Sequence, residues 1–336
     1  MQPLRTGPED ASGDVVAGRI DAAAARLDEA SAAIAEVIFG QGPVVEQAIV
    51  TLVADGHGLL VGVPGLGKTL LVETLSRVFG LDRRRVQFTP DLMPTDILGS
   101  EILEDNGDGR RFRYLEGPVF TQLLMADEIN RASPRTQSAL LQAMQERQVS
   151  VAGHPRPLPR PFHVLATQNP IEQEGTYPLP EAQLDRFLLQ IDVAYPDVET
   201  EKTILLKTTG GESQEARPTV AAEELLELQE LARLMPIGEK VLAAILDLVR
   251  RGRPESAEDR RIAEWVSWGP GPRAGQALMR CARARALLQG RLSPSVEDVR
   301  ALASPVLRHR LVLSYAARAE GIDVDHVIAC LTASLD

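Results

Sequence analysis

The sequence predicts an α/β fold in which a five-stranded parallel sheet is flanked by helices and followed by a small all-helical domain. Three observations support this prediction. Short apolar runs, typical of buried parallel strands, alternate with helix-patterned stretches over the first 195 residues. A glycine-rich stretch joins the first of these runs to a helix. Beyond Tyr195-Pro196 the strand signals stop and only helical patterns continue.

The length of 336 residues is sufficient for two domains, and a content of 44% hydrophobic and 25% charged residues is ordinary for a globular protein. Residues 1–17 mix Gly, Pro, Ser, Asp and Glu without an apolar period, so we expect a disordered tail there. The α/β domain is then predicted over residues 18–195 and the helical domain over residues 196–336.

Charge and composition disfavour several classes of function. A net charge of -11 argues against a nucleic-acid partner, because an acidic chain repels phosphate backbones. Cys281 and Cys330 lie far apart and the five histidines lack paired ligand spacing, so neither a disulfide framework nor a zinc site is expected. No apolar run approaches the roughly 20 residues of a membrane span. The first residues do not resemble a signal peptide, and we expect a cytoplasmic protein.

The apolar patterns predict the individual elements. Strands are expected at Leu59–Val61, Val86–Thr89, Gln122–Ala126, Phe162–Thr167 and Leu188–Val193. Helices are expected at Asp21–Val37, Val44–Ala54, Lys68–Phe79, Pro134–Glu146, Ala221–Leu234, Glu239–Arg250, Ala274–Leu288 and Val296–Leu307. The segment Gly210–Pro218 is predicted to be a polar loop within the helical domain.

Residues 62–69 match the phosphate-binding pattern G-x-x-x-x-G-K-[ST] in full and directly follow the first predicted strand. The glycines allow backbone N–H groups to turn inward on an anion, and the following helix adds the positive end of its dipole. Lys68 is expected to reach the β- and γ-phosphates, and the Thr69 hydroxyl to hold Mg²⁺. The predicted nucleotide contacts are Gly62, Pro64, Gly65, Leu66, Gly67, Lys68, Thr69 and Leu70.

Asp127 and Glu128 end the third predicted strand, where parallel strands direct their following residues toward a ligand crevice. Two adjacent carboxylates at such a place need a cation. Asp127 suits a position beside Mg²⁺, and Glu128 suits a base that orients and polarises the attacking water. The alternative is that the pair caps the following helix.

Further polar residues lie at positions that suit phosphoryl transfer. Asn169 follows the next strand, where its amide could contact the γ-phosphate and hold water. Arg186 precedes the last strand, and Arg273 begins a helix of the second domain. A planar cation stabilises a transferring phosphoryl group, but residue spacing alone does not distinguish such a role from a surface ion pair.

The segment Val37–Gln41 lies between the first two predicted helices, ahead of the phosphate-binding pattern. Its residues Ile38, Phe39 and Gly40 are candidates for a platform under the adenine ring. A plain helix-to-helix connection explains the segment equally well.

From Ile20 to the C-terminus the chain resembles the AAA+ ATPases and, within them, the MoxR family. The resemblance lies in long blocks, which are QFTPDL at 87–92, GPVF at 117–120, DEINRA at 127–132, QSALLQAMQE at 137–146 and NPIEQEGTYPLPEAQLDRF at 169–187. It implies an AAA+ P-loop NTPase core followed by a helical lid domain. It also implies Mg²⁺-dependent hydrolysis of ATP by a homo-oligomeric ring, expected to be a hexamer, in which hydrolysis drives motion between core and lid.

The resemblance assigns roles to three residues. Asn169 is similar to sensor 1, and Arg186 is similar to the arginine finger that enters the site of the neighbouring subunit. Arg273 is similar to sensor 2, which reaches back from the lid onto the γ-phosphate. Arg131 stays open between two interpretations, since it could bridge subunits beside Arg186 or pair with an acidic neighbour.

Two segments are predicted to form hairpins. Met93–Leu115 fits an insertion that the family carries, and its Asn-Gly and Asp-Gly pairs favour tight turns between extended arms. Gln148–Pro161 is a second hairpin ahead of the fourth strand. Each segment could contact a substrate or partner at the axis or rim of a ring, or could be a solvated loop, and the sequence leaves both interpretations open.

The resemblance also suggests a biological role. MoxR relatives are similar to chaperones that mature or activate other proteins, often with a partner that carries a von Willebrand A domain. This chain supplies no such domain, so the partner would be a separate protein. The alternatives are a chelatase-type motor subunit for metal insertion, a DNA-translocating ring, and a nucleotide-gated scaffold with little turnover.

Overall fold

A computed structural model describes residues 8–105, 110–151, 153–172, 175–208, 215–333 and 335, with side chains from Val16 onward. The helices are α1 Pro8–Ala35, α2 Gly42–Val53, α3 Lys68–Val78, α4 Pro94–Leu98, α5 Pro134–Glu146, α6 Glu181–Leu184, α7 Val198–Thr208, α8 Ala222–Leu234, α9 Glu239–Arg251, α10 Arg260–Trp265, α11 Pro272–Leu288, α12 Val296–Leu307, α13 Tyr315–Ala319 and α14 Val324–Thr332. None of these helices is long and apolar enough to cross a membrane.

The strands are β1 Gly58–Val61, β2 Arg83–Gln87, β3 Gly99–Asp105, β4 Arg110–Glu116, β5 Leu123–Asp127, β6 Gln148–Val151, β7 His154–Pro157, β8 His163–Gln168, β9 Leu189–Asp192, β10 Val266–Trp268 and β11 Val312–Leu313. Five of them form a sheet in the order β2-β5-β8-β1-β9, with every pair parallel. This confirms the predicted fold class. All five strands therefore end at one edge of the sheet and begin at the opposite edge.

Hydrophobic clusters cover both faces of the sheet, and alternate residues of a strand join different clusters. Leu60 of β1 packs with α1, α2, α3 and the helices of the C-terminal part, whereas Leu59 packs with α5 and the hairpins. Leu123 and Leu124 of β5 divide in the same way. The apolar runs without alternation are explained by this burial on both faces.

The structure corrects three predictions. The expected tail over residues 1–17 is too long, because α1 begins at Pro8, where proline and the acidic residues after it suit a first helical turn; residues 1–7 lie outside the described part. Strand β2 begins at Arg83, earlier than predicted, since an edge strand rich in arginine carries little apolar signal. The C-terminal domain also contains the short antiparallel pair β10-β11, so it is not purely helical.

Both expected hairpins are present. Strands β3 and β4 pair antiparallel from Gly99 opposite Glu116 to Asp105 opposite Arg110. Residues 106–109, where tight turns are predicted, lie outside the described part, as do residues 209–214 of the predicted polar loop. Strands β6 and β7 form the second hairpin. The first hairpin exposes large apolar side chains, including Phe112 at 75% exposure.

Three histidines are buried in this fold. The backbone N–H of Val164 donates to Nδ1 of His57 at 3.0 Å, and burial lowers the pKa of His57 from 6.5 to about 3. Burial also lowers the pKa of His163, whose Nδ1 lies 2.8 Å from the Gly56 carbonyl, and lowers that of His309 well below its usual range. The folded state therefore holds all three rings neutral at physiological pH.

We predict that the free energy of unfolding falls as the pH drops below about 6.5. There the unfolded chain binds protons at these histidines while the folded chain does not, and the loss is about 1.4 kcal/mol per pH unit for a group such as His57. Urea unfolding at a series of pH values measures it. His57→Gln should reduce the slope and the exposed His154→Gln should not; a free energy that is constant across this range would contradict the prediction.

Candidate functional site

The glycine-rich loop follows β1 at the carboxyl edge of the sheet and leads into α3. Gly65 and Gly67 have φ angles of 86° and 77°, which favour glycine, and a Cβ at either position would meet no atom within 4 Å. The loop is therefore open on this side. Gly67 precedes the first residue of α3 and no side chain caps the helix, so its first N–H groups are available to an anion.

Lys68 lies within the curve of this loop. Its Nζ donates hydrogen bonds to the carbonyls of Gly62 and, at 2.9 Å, Val63. Burial lowers the pKa of Lys68 below its usual range, and the carboxylates of Asp127 and Glu128 oppose that shift. An open loop with free amides and one ammonium group fits a triphosphate.

Asp127 ends β5 at the same edge, and its carboxylate is held from two sides. Oδ1 accepts a hydrogen bond from Thr167 Oγ1 at 2.6 Å, and Oδ2 accepts from Arg85 Nη2 at 2.5 Å and Nε at 3.2 Å. Only 8% of the residue is exposed. The contact of Arg85 with Asp127 was not predicted from the sequence. The one feature that could have indicated it is the position of Arg85 on β2, because β2 pairs with β5 and Gln87 lies opposite Asp127.

Glu128 adopts a left-handed backbone conformation with φ 55°, which is uncommon outside glycine and is found at functional sites. Its N–H donates to Thr167 Oγ1 at 2.8 Å. Its Oε2 accepts from Gln87 Nε2 at 2.6 Å and from Arg131 Nη1 at 3.0 Å. The carboxylate caps no helix, and Arg131 pairs with an acidic neighbour, which is the second of its two interpretations.

Asn169 is buried directly after β8, and β8 lies between β5 and β1 in the sheet. Its side-chain carbonyl accepts a hydrogen bond from the N–H of Ile171 at 3.2 Å. The sheet thus brings Asn169 to the same edge as the glycine-rich loop and the Asp127-Glu128 pair. This agrees with the place that sequence reasoning gave it.

Thr69 and Asp127 offer a hydroxyl and a carboxylate oxygen, which are the donor types that Mg²⁺ takes in proteins. Both belong to elements that meet at the carboxyl edge, and Arg85 and Thr167 orient the carboxylate from outside. The donor set fits this ion. Among the described residues, no group of three or more His, Cys, Asp or Glu side chains could hold a metal ion by itself.

The segment with Ile38, Phe39 and Gly40 lies against the glycine-rich loop, because the adjacent Gln41 donates from Nε2 to the Leu66 carbonyl at 3.2 Å. On its other side it contacts α7. A Cβ on Gly40 would lie 2.3 Å from Thr200 Cγ2, and Lys207 Nζ lies 4.6 Å from the centre of the Phe39 ring. The position suits an adenine platform as well as a connection between helices.

Arg186 and Arg273 lie at the opposite edge of the sheet. Both line a cavity together with Gly56 and His57, which precede β1, and with Asp185. Arg273 Nη1 lies 3.8 Å from Asp185 Oδ2. Arg186 is half-buried, makes no ion pair with any described residue, and has a buried Nε without a hydrogen-bond partner.

This placement corrects the expectation for Arg273, which does not reach back toward the glycine-rich loop of its own chain. The loop follows the carboxyl end of β1, and the arginine cavity lies beyond its amino end. The 4 residues of β1 between them span about 13 Å at about 3.3 Å per residue. Helix α11 begins with Pro272 and packs its buried face on α2, α8 and α9, which holds Arg273 at this edge.

Comparison with known proteins supports the fold class. Residues 57–189 match the ATPase family associated with various cellular activities (AAA), and residues 258–329 match an AAA lid domain. The crystal structure of a candidate ATPase from Cytophaga hutchinsonii superposes with a TM-score of 0.88 and 36% identity, over 98% of this chain and 99% of that one. Fold and site together define an AAA ATPase core with its lid.

Relatives along the whole chain narrow this class. The chain is 45% identical to Chaperone MoxR1 of Mycobacterium tuberculosis over 90% of this chain and 80% of that protein. It is 34% identical to Protein MoxR of Paracoccus denitrificans over 89% and 92% of the two chains. The chain belongs to the MoxR family of AAA+ ATPases.

We predict that Thr167→Val destabilises the protein, because it leaves Asp127 Oδ1 and the Glu128 N–H without the hydroxyl that both contact. The expected loss in the free energy of unfolding is about 1–3 kcal/mol. Thr167→Ser keeps the hydroxyl and removes one methyl group, which costs about 1 kcal/mol or less. Urea unfolding of the three proteins measures this. Equal losses for the two variants would show that the hydroxyl does not hold the site together.

Proposed function

We propose that this chain is a Mg²⁺-dependent ATPase that works as a homo-oligomeric ring, expected to be a hexamer. The single observation that carries this proposal is the separation of the glycine-rich loop from Arg186 and Arg273 by the length of the sheet. Arginines at that edge cannot serve the phosphates of their own chain. In a head-to-tail ring the same edge would face the next copy, and one loop and one arginine pair would form a complete site.

Within that site, each residue has a role that its surroundings support. The loop amides and Lys68 bind the phosphates, and Thr69 and Asp127 would hold Mg²⁺, which supplies charge neutralisation when bound. Glu128, held by Gln87 and Arg131, orients and deprotonates the attacking water. Asn169 donates to the γ-phosphate, and Ile38, Phe39 and Gly40 support the adenine ring.

The biological output that we propose is chaperone-like remodelling, maturation or activation of a partner protein in the cytoplasm. Support comes from a relative that is described as a chaperone and from the exposed apolar side chains of the β3-β4 hairpin, notably Leu103 and Phe112. These two residues lie opposite each other on the two strands of the hairpin, and exposed apolar residues of this kind are suited to contacts with other proteins. A separate protein with a von Willebrand A domain is the partner that we expect.

We predict that Glu128→Gln retains ATP binding and loses hydrolysis by about 10²- to 10⁴-fold, because the amide cannot accept the proton from water. Glu320→Gln, which changes an exposed carboxylate in the C-terminal domain, is the matched control. Binding of a fluorescent ATP analogue and release of phosphate are measured on all three proteins. Normal hydrolysis by Glu128→Gln would assign the base elsewhere, and negligible release by the unchanged protein would favour a scaffold.

We predict that Arg186→Ala reduces turnover on the order of 10³-fold, because the phosphoryl group then loses its cation in the transition state. Lys68→Ala should also be inactive, since it damages the loop. When the two variants are mixed, the intact glycine-rich loop of an Arg186→Ala subunit can lie beside the intact Arg186 of a neighbouring Lys68→Ala subunit. Phosphate release should therefore recover in the mixture.

The control for this experiment is a protein that carries both substitutions in one chain, which should recover nothing when mixed with Lys68→Ala. The same logic applies to Arg273→Ala. Failure of the Arg186→Ala and Lys68→Ala mixture to regain activity, with both variants shown to assemble, would overturn the shared site. Turnover per subunit that stays constant on dilution to monomer would do the same.

A further inference from the structure

Arg310 is a buried arginine that belongs to the lid and binds the segment containing Arg186. It ends the 3₁₀ turn Arg308–Arg310 after α12, and its side chain is only 3% exposed. Its Nε donates to Asp185 Oδ1 at 2.6 Å, and its Nη2 donates to the carbonyl of Phe187 at 2.6 Å. The two residues that flank Arg186 are therefore both held by one guanidinium group.

Further contacts complete this attachment. Arg310 also donates to the carbonyls of Asp185 at 3.3 Å, Leu188 at 3.2 Å and Val306 at 2.5 Å. His309 Nε2 lies 3.1 Å from the Phe187 carbonyl. Backbone carbonyls before and after Arg186 thus accept hydrogen bonds from lid residues. The bond to the Val306 carbonyl also holds the guanidinium group against α12.

The chemistry of these contacts is specific to arginine. A guanidinium presents five N–H donors in a rigid plane, whereas a lysine ammonium presents three at one point. Burial lowers the pKa of Arg310, and the Asp185 carboxylate opposes that shift. The other oxygen of that carboxylate lies 3.8 Å from Arg273 Nη1. The Asp185 carboxylate therefore lies between two arginines, the buried Arg310 and the more exposed Arg273.

We propose that Arg310 and Asp185 are positioning residues for Arg186 and Arg273, so that the lid of one copy sets the geometry with which that copy completes its neighbour's ATP site. This inference rests on the proposed function, in which both arginines act on the next copy. Asp185 orients Arg273 through its side chain, and Arg310 fixes the backbone on both sides of Arg186. Neither residue touches the nucleotide.

A neighbouring arginine provides a matched control. Arg308 belongs to the same 3₁₀ turn and also bridges lid and core, because it pairs with Asp192 of β9 and with Asp325 at 2.6 Å. It makes none of the hydrogen bonds to residues 185–188 that Arg310 and His309 make. Substitution of Arg308 therefore weakens the contact between lid and core without removing the hydrogen bonds to residues 185–188, and it shows the effect of that weakening alone.

The experiment compares Arg310→Lys, Asp185→Asn and the control Arg308→Gln in steady-state ATP hydrolysis. Misplacement of the arginines should lower kcat by about 10- to 100-fold for the first two variants. KM for ATP should stay within about 3-fold, because the loop that binds ATP is unchanged. Arg308→Gln should retain kcat. Asp185→Asn keeps the carbonyl contacts of Arg310, so it remains informative if Arg310→Lys unfolds.

Mixing with Lys68→Ala then separates this inference from the proposed function. Arg310→Lys and Asp185→Asn each keep an intact loop, so activity should recover when Lys68→Ala supplies intact arginines. If the Arg186→Ala mixture recovers and these two do not, the positioning role is wrong and the shared site stands. If no mixture recovers, the shared site itself is wrong. A loss of kcat in Arg308→Gln equal to that in Arg310→Lys would also overturn the positioning role.

Discussion

The direction of a parallel sheet is the constraint on which the rest of this structure depends. Because every strand of the five-stranded sheet runs the same way, residues that follow strands and residues that precede them are kept at opposite edges. Asp127 ends β5, and Lys68, Glu128 and Asn169 come after strands, while Arg186 precedes β9. In the proposed ring, these residues would form a complete site only where two copies meet, so assembly is a condition of the proposed chemistry.

At the carboxyl edge, a small hydrogen-bonded network holds the acidic pair before any ligand is considered. Thr167 contacts the side chain of Asp127 and the backbone of Glu128, and thereby joins β8 to β5. Arg85 and Gln87 on β2 bind the same two carboxylates from the other side. Three adjacent strands thus contribute to the orientation of two residues. Such preorganisation limits the reorganisation required when charge develops in a transition state.

Local patterns in the sequence predicted most of the fold, and they predicted that the glycine-rich loop and the Asp127-Glu128 pair lie at the carboxyl ends of strands, as the structure shows. Helix Pro134–Glu146 was predicted with the bounds that the structure shows, because Ser133 accepts from the Thr136 N–H as an N-cap and proline follows it. The contacts of Arg85 and Arg310 could not be predicted, since they join residues 42 and 125 positions apart and depend on strand register and lid docking. The position of Arg273 was missed for the same reason. A helix start is local, whereas the edge of the sheet that it meets is a tertiary property.

One hydrophobic cluster runs without interruption from α1, α2 and α3 into the lid helices, and it includes Ile34, Val45, Leu278 and Leu287. A rotation that separated the lid from the core would expose this apolar surface to water, and its free-energy cost would grow with the area exposed. Small sliding displacements of packed helices avoid that cost. Within one copy, core and lid should therefore move nearly as a rigid body, and in the proposed ring the larger rotations should occur at the contacts between copies.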